Sequence, residues 1–139
     1  MKIELEIKME MIAPDFRCGS NWEELASLFN YKIDKNDQDW TYTIVEPERI
    51  DEYIQAYNTT VTNEDTRFSL MEMIIQSLTE QDTDELLKSK WALVKQLLTE
   101  DFELNKYTIF YWCCWDNEDA GDCWRITPFM REFWLKRES

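Results

Sequence analysis

Tyr107-Thr108-Ile109-Phe110-Tyr111-Trp112-Cys113-Cys114-Trp115 is the densest apolar run in the chain, and its reading decides the fold. As a strand it is apolar on both faces, with Ile109, Tyr111 and Cys113 on one and Phe110, Trp112 and Cys114 on the other. Aromatic and β-branched enrichment favours that reading, and a strand apolar on both sides belongs in the middle of a sheet. The acidic turn from Asp116 to Asp122 follows, and Cys123 to Ile126 returns as a partner strand. Working outward, Lys2 to Glu10 alternates Ile3, Leu5, Ile7 and Met9 with charged residues, which predicts a half-buried strand. Trp40 to Val45 is a further strand of aromatic and β-branched residues.

Helices fill the intervals. Ser20 and Glu23 have capping-box spacing, opening a helix to about Tyr31 that buries Trp22, Leu25, Leu28 and Phe29. Pro47 suits the first position of a helix whose apolar face is Ile50, Tyr53, Ile54 and Tyr57. From about Asn63 a longer helix presents Phe68, Met71, Ile74, Ile75 and Leu78. Asp82 with Glu85 opens another, with Leu87, Trp91, Val94 and Leu98 on one face, and only about four residues separate the two. Thr127 and Pro128 start a last helix. The resulting order, βαβαααββα, predicts an α+β fold: an antiparallel sheet of about four strands with about five helices packed on it. The 139 residues fit one domain, residues 1–139, large enough to hold a core without metal or disulfide.

The chain contains no histidine, which removes the Ser–His and Cys–His nucleophile pairs and the commonest neutral general base. Two glycines cannot build a phosphate-binding loop. A calcium loop starting at Asp116 would place Ala120 and Thr127 where oxygen ligands and a bidentate Glu belong, so the pattern fails. No metal and no cofactor is expected. The absence of both a spanning apolar segment and a leader predicts a cytoplasmic protein, in which Cys18, Cys113, Cys114 and Cys123 stay reduced.

The net charge of −14 is unevenly spread: between Asn36 and Leu87 only Arg49 and Arg67 are basic, against thirteen acids. Such a field repels nucleic acid and anionic membrane and attracts basic proteins. Acidity as a solubility device is the plainer reading. Aromatic anchors ringed by charge have the composition of an interface hot spot. The expected partner-binding residues are therefore Asp34, Asp37, Asp39 and Trp40 in one loop, and Trp115, Asp116, Glu118, Asp119 and Asp122 in another, with Trp115 or Trp134 partly exposed.

The ending from Trp124 to Trp134, with Tyr111-Trp112 before it, resembles the ends of small acidic immunity proteins of bacterial polymorphic toxin systems. That resemblance covers about a fifth of the chain and implies a role without any catalytic motif. The role is a stoichiometric inhibitor docking its acidic face on a basic toxin, often a nuclease. Two other classes remain open: a carboxylate-based enzyme or metal-dependent binder, and a homo-oligomeric scaffold paired through Lys2 to Glu10.

Overall fold

The computed structural model describes residues 14, 22–32, 45–117, 119 and 123–138. Among them all regular structure is helical. The helices are α1 (Trp22–Phe29), α2 (Ile50–Thr59), α3 (Glu64–Thr79), α4 (Asp84–Glu100), α5 (Phe102–Trp112) and α6 (Thr127–Glu138), with a 3-10 turn at Pro47–Arg49 leading into α2. The expected α+β sheet is therefore corrected to a helical fold. Tyr107 to Trp112 belongs to α5, Cys113 to Asp116 is turn, and Cys123 to Ile126 is bend and turn. The expected strand at Lys2 to Glu10 lies outside the described residues, as does that at Trp40 to Val45 except for Val45, which is in no regular element. No described helix is long and apolar enough to cross a membrane.

The physical reason is a helix start concealed by a polar residue. Phe102, Asn105, Ile109 and Trp112 are all buried and fall at helical spacing. Asn105 hides the pattern, so the apolar run looks as though it begins at Tyr107. No glycine or proline separates α4 from α5; the break is Asp101, whose backbone leaves helical geometry at φ −116° and ψ 39°.

The chain divides into two compact units, Cys18–Leu104 and Met1–Arg17 with Asn105–Ser139, the boundary falling within α5. In the first, α3 is the hub against which α1, the 3-10 turn, α2 and α4 pack. Phe68, Leu70, Met71, Met73, Ile74, Ile75 and Leu78 are all buried, so α3 offers apolar side chains over more than half of its circumference and not on one narrow stripe, while Glu72, Gln76 and Thr79 are half-buried. The Asn63 side chain caps it by accepting from the amides of Asp65 (2.9 Å) and Thr66 (3.2 Å). α4 is capped in the same way by Thr83, whose hydroxyl accepts from the Leu86 amide at 3.1 Å. The faces expected for α2 and α4 are buried as read, but Leu28 on α1 is 39% exposed. α1 ends in a Schellman turn: Asn30 adopts φ 61°, and the Tyr31 amide donates to the Ala26 carbonyl at 2.8 Å.

Polar contacts lock this unit at two places. Arg49 donates to the Phe29 carbonyl and to Glu46 and Glu52, while the Tyr31 and Tyr53 hydroxyls bond to each other beside Glu46. At the other, Arg67 donates to the carbonyls of Tyr57 (2.9 Å) and Val61 (3.1 Å) and to Asp101 (2.5 Å). The Tyr57 hydroxyl donates to the same Asp101 carboxylate at 2.8 Å.

In the second unit α6 returns to the end of α5. The Thr127 hydroxyl donates to the Trp112 carbonyl at 3.0 Å, so it reaches back to the preceding helix. Trp134 packs edge-on against Phe110 with ring centroids 5.2 Å apart. The Tyr111 and Trp112 rings meet Trp124 at 5.4 and 4.5 Å. Cys114 and Cys123 form a disulfide, which corrects the expectation of four reduced thiols: the turn after α5 brings their Cα atoms to 6.5 Å, within bonding range. Cys113 is free and buried.

Two measurements test this architecture. Ile75→Ala, at a fully buried position of α3, is expected to cost about 3 kcal/mol in urea unfolding. Burial pushes the Asp101 carboxyl up, but hydrogen bonds from Arg67 and Tyr57 outweigh it and hold the group below its ordinary value. Its stabilisation is therefore present above the unfolded-state pKa and is lost as pH falls through the lower folded-state value. Asp101→Asn is expected to lower stability at pH 7 and to flatten its decline in acid, read from urea midpoints across pH.

Candidate partner-binding surface

Acidic pairs open four of the helices: Glu23 and Glu24 in α1, Asp51 and Glu52 in α2, Glu64 and Asp65 in α3, Asp84 and Glu85 in α4. Each pair lies where the partial positive charge of a helix start favours carboxylates. Packing then gathers acids from distant parts of the sequence. Gln81 donates to the Pro47 carbonyl at 3.0 Å, which sets the α3–α4 connection against the 3-10 turn. Lys90 on α4 reaches Asp51 on α2 at 2.8 Å. These two contacts tie the Pro47 turn and α2 to the α3–α4 connection and α4, and the acids flanking them, Glu48, Asp51 and Glu52 on one side and Asp82, Asp84 and Glu85 on the other, are all exposed. Arg49 and Lys90 are cations engaged here, with Glu52 at 2.9 Å and Asp51 at 2.8 Å, and Lys88 on α4 is a further exposed cation one turn from Asp84 and Glu85. The bond from Arg49 holds the fully exposed Glu52 carboxyl below its ordinary value, so it stays ionised into mild acid. Beside Glu85, Leu86 is 43% exposed, an apolar side chain at the edge of the acidic region. A smaller acidic corner forms where Thr66 donates to Glu24 at 3.1 Å, next to Glu64 and Asp65.

Of the residues expected from sequence to meet a partner, Asp34, Asp37, Asp39, Trp40, Glu118 and Asp122 lie outside the described residues. Asp116 and Asp119 are exposed, and the Asp119 amide donates to the Asn117 side chain at 3.0 Å. Trp115 is not an exposed anchor. It is 6% accessible and lies under the Arg131 guanidinium, 4.9 Å from its ring centroid. Trp134, at 3%, is likewise buried.

Sequence reasoning missed the Gln81–Pro47 and Lys90–Asp51 contacts that link the Glu48 to Glu52 segment to the Asp82 to Glu85 segment. The shortage of bases between Asn36 and Leu87 was the visible signal; the contact of Gln81 with Pro47 that folds the stretch back on itself carries no motif. Among the described residues, no group of three or more Cys, Asp or Glu is arranged to hold a metal ion. No protein-family model, curated protein or solved structure matches the chain.

Arg131, itself buried, fixes the turn beneath Asp116 by donating to the carbonyls of Cys113 (2.6 Å), Cys114 (2.7 Å) and Asn117 (2.8 Å). Arg131→Met keeps the packing volume but removes these donors. It is expected to cost about 3 kcal/mol in urea unfolding, since each buried carbonyl left unmatched is costly.

Proposed function

We propose that this chain is a non-catalytic binding protein whose acidic surface, at the starts of α2 and α4, takes a basic protein. The observation that carries the reading is that the Gln81–Pro47 and Lys90–Asp51 contacts tie together two exposed acidic segments, Glu48 to Glu52 and Asp82 to Glu85. Arg49 and Lys90 are already committed to carboxylates within that group. A concentrated negative field of this kind speeds encounter with a cationic partner and disfavours polyanions. Leu86 adds an apolar contact at the rim, where the closest approach displaces water. The absence of histidine supports a binding role over acid–base chemistry. Inhibition of a basic toxin is the narrower form of this reading; it draws on the resemblance of the Trp124–Trp134 segment and on the charge.

The test uses immobilised full-length chain and native extract of the source cells at low salt, with salt elution. A variant carrying Asp82→Asn, Asp84→Asn and Glu85→Gln runs in parallel, its folding checked by thermal melting. The expected result is a basic protein released by salt and captured at least about tenfold less by the neutralised variant. Its association rate with the native chain should fall about tenfold or more between ~20 and ~300 mM salt. Equal capture by both chains, or a rate indifferent to salt, counts against the proposal.

A further inference from the structure

Cys114 and Cys123 differ from the neighbouring Cys113 in a way that invites chemistry. They are joined as a disulfide across nine residues of sequence, and both are only part-buried, whereas Cys113 has no exposed surface. Each is also held by contacts independent of the bond. On the Cys114 side, Arg131 grips the carbonyls of Cys113, Cys114 and Asn117. Next to Cys123, Trp124 rests against Trp112 and stacks on Tyr111. These contacts keep the two backbones at bonding separation, 6.5 Å between Cα atoms, so the sulfurs face each other at high effective concentration.

We propose that Cys114 and Cys123 are a reversible redox pair, opened by small thiols and closed by small-molecule disulfides of the glutathione class. In opening, a thiolate attacks one sulfur of the pair. The S–S bond breaks, and its electron pair leaves on the other cysteine, which takes a proton. A second thiolate attacks the resulting mixed disulfide, releasing the first cysteine and carrying away the oxidised small molecule. Two electrons pass from two thiols to the pair, and closure is the reverse. Cys113 stays out of the exchange because it is sealed from solvent; burial also pushes its thiol far up from the ordinary value, leaving it neutral and unreactive. The bond closes the loop that carries Asp116 and Asp119, so opening it returns conformational freedom to that segment. The proposal does not depend on the partner-binding reading.

The test equilibrates the full chain, and a Cys18→Ser variant, with glutathione buffers of graded reduced-to-oxidised ratio. Thiols are then alkylated without denaturant and located by mass spectrometry, with far-UV circular dichroism on the same samples. The expected result is one two-electron transition in which Cys114 and Cys123 become modified together, Cys113 stays unmodified, and helical content is unchanged. The melting temperature should fall on opening by on the order of 5 °C. Cys123→Ser is expected to remove the transition while keeping the helical spectrum. A pair that remains oxidised at every ratio until the protein unfolds is a static bond and overturns the proposal. So does a pair that never oxidises, or one in which Cys113 reacts alongside.

Discussion

Helix α3 gives little of its surface to water. Phe68, Leu70, Met71, Met73, Ile74, Ile75 and Leu78 cover more than half of its circumference, and all are sealed. Such a helix is stable only when neighbours enclose it, because each exposed side chain of that size would forfeit about 1.5–3 kcal/mol. α1, the Pro47 turn, α2 and α4 supply the enclosure. Their own apolar stripes are narrower, as Ile50, Tyr53, Ile54 and Tyr57 show on α2, and their remaining surface is free to be charged. Concentrating hydrophobicity in one central helix leaves the surrounding ones able to carry most of the acids.

Two arginines finish what packing leaves undone. Helix ends strand carbonyls without amide partners, and the turns that follow add more. Arg67 satisfies the carbonyls of Tyr57 and Val61 at the end of α2, and Arg131 does the same for Cys113, Cys114 and Asn117 after α5. Each guanidinium also lies over an aromatic ring, Tyr57 at 4.0 Å and Trp115 at 4.9 Å. A planar group with several donors can fork among carbonyls while its face stays in apolar contact, which a lysine ammonium cannot do. The Arg67 contact with Asp101 also fixes where α4 stops and α5 begins, so one ion pair sets a boundary between two helices.

What the sequence revealed depended on how many directions each segment buries. α2 and α4 show one apolar face, and periodicity alone placed Ile50 to Tyr57 and Leu87 to Leu98. For α3 the helix was legible but the breadth of its buried surface was not, since Leu70, Met73 and Ser77 fall outside a single stripe. α5 was misread because Asn105 and Thr108, both buried, interrupt the apolar register of a helix, while Ile109 to Trp115 imitates a strand. The Cys114–Cys123 bond was hidden by a different step, the expectation of a reducing compartment. The positive φ of 56° at Cys114 belongs to a turn after a helix, whereas a strand would have sent the side chains of Cys113 and Cys114 to opposite faces of a sheet.

Charge was legible in amount and obscure in arrangement. The acids at the starts of α1, α2, α3 and α4 each have a local reason to be there, because a carboxylate in a first helical turn contributes about 0.3–1 kcal/mol against the helix dipole. That reason alone would scatter them over separate helix ends. Which acidic segments meet is set instead by contacts between elements: Gln81 donates to the Pro47 carbonyl and Lys90 pairs with Asp51, tying the Glu48 to Glu52 segment to the Asp82 to Glu85 segment. Lys90 and Arg49 each engage one carboxylate there, Asp51 and Glu52. Helix dipoles thus place acids at these helix starts, while a few polar contacts, which carry no motif, decide how the acidic segments are grouped.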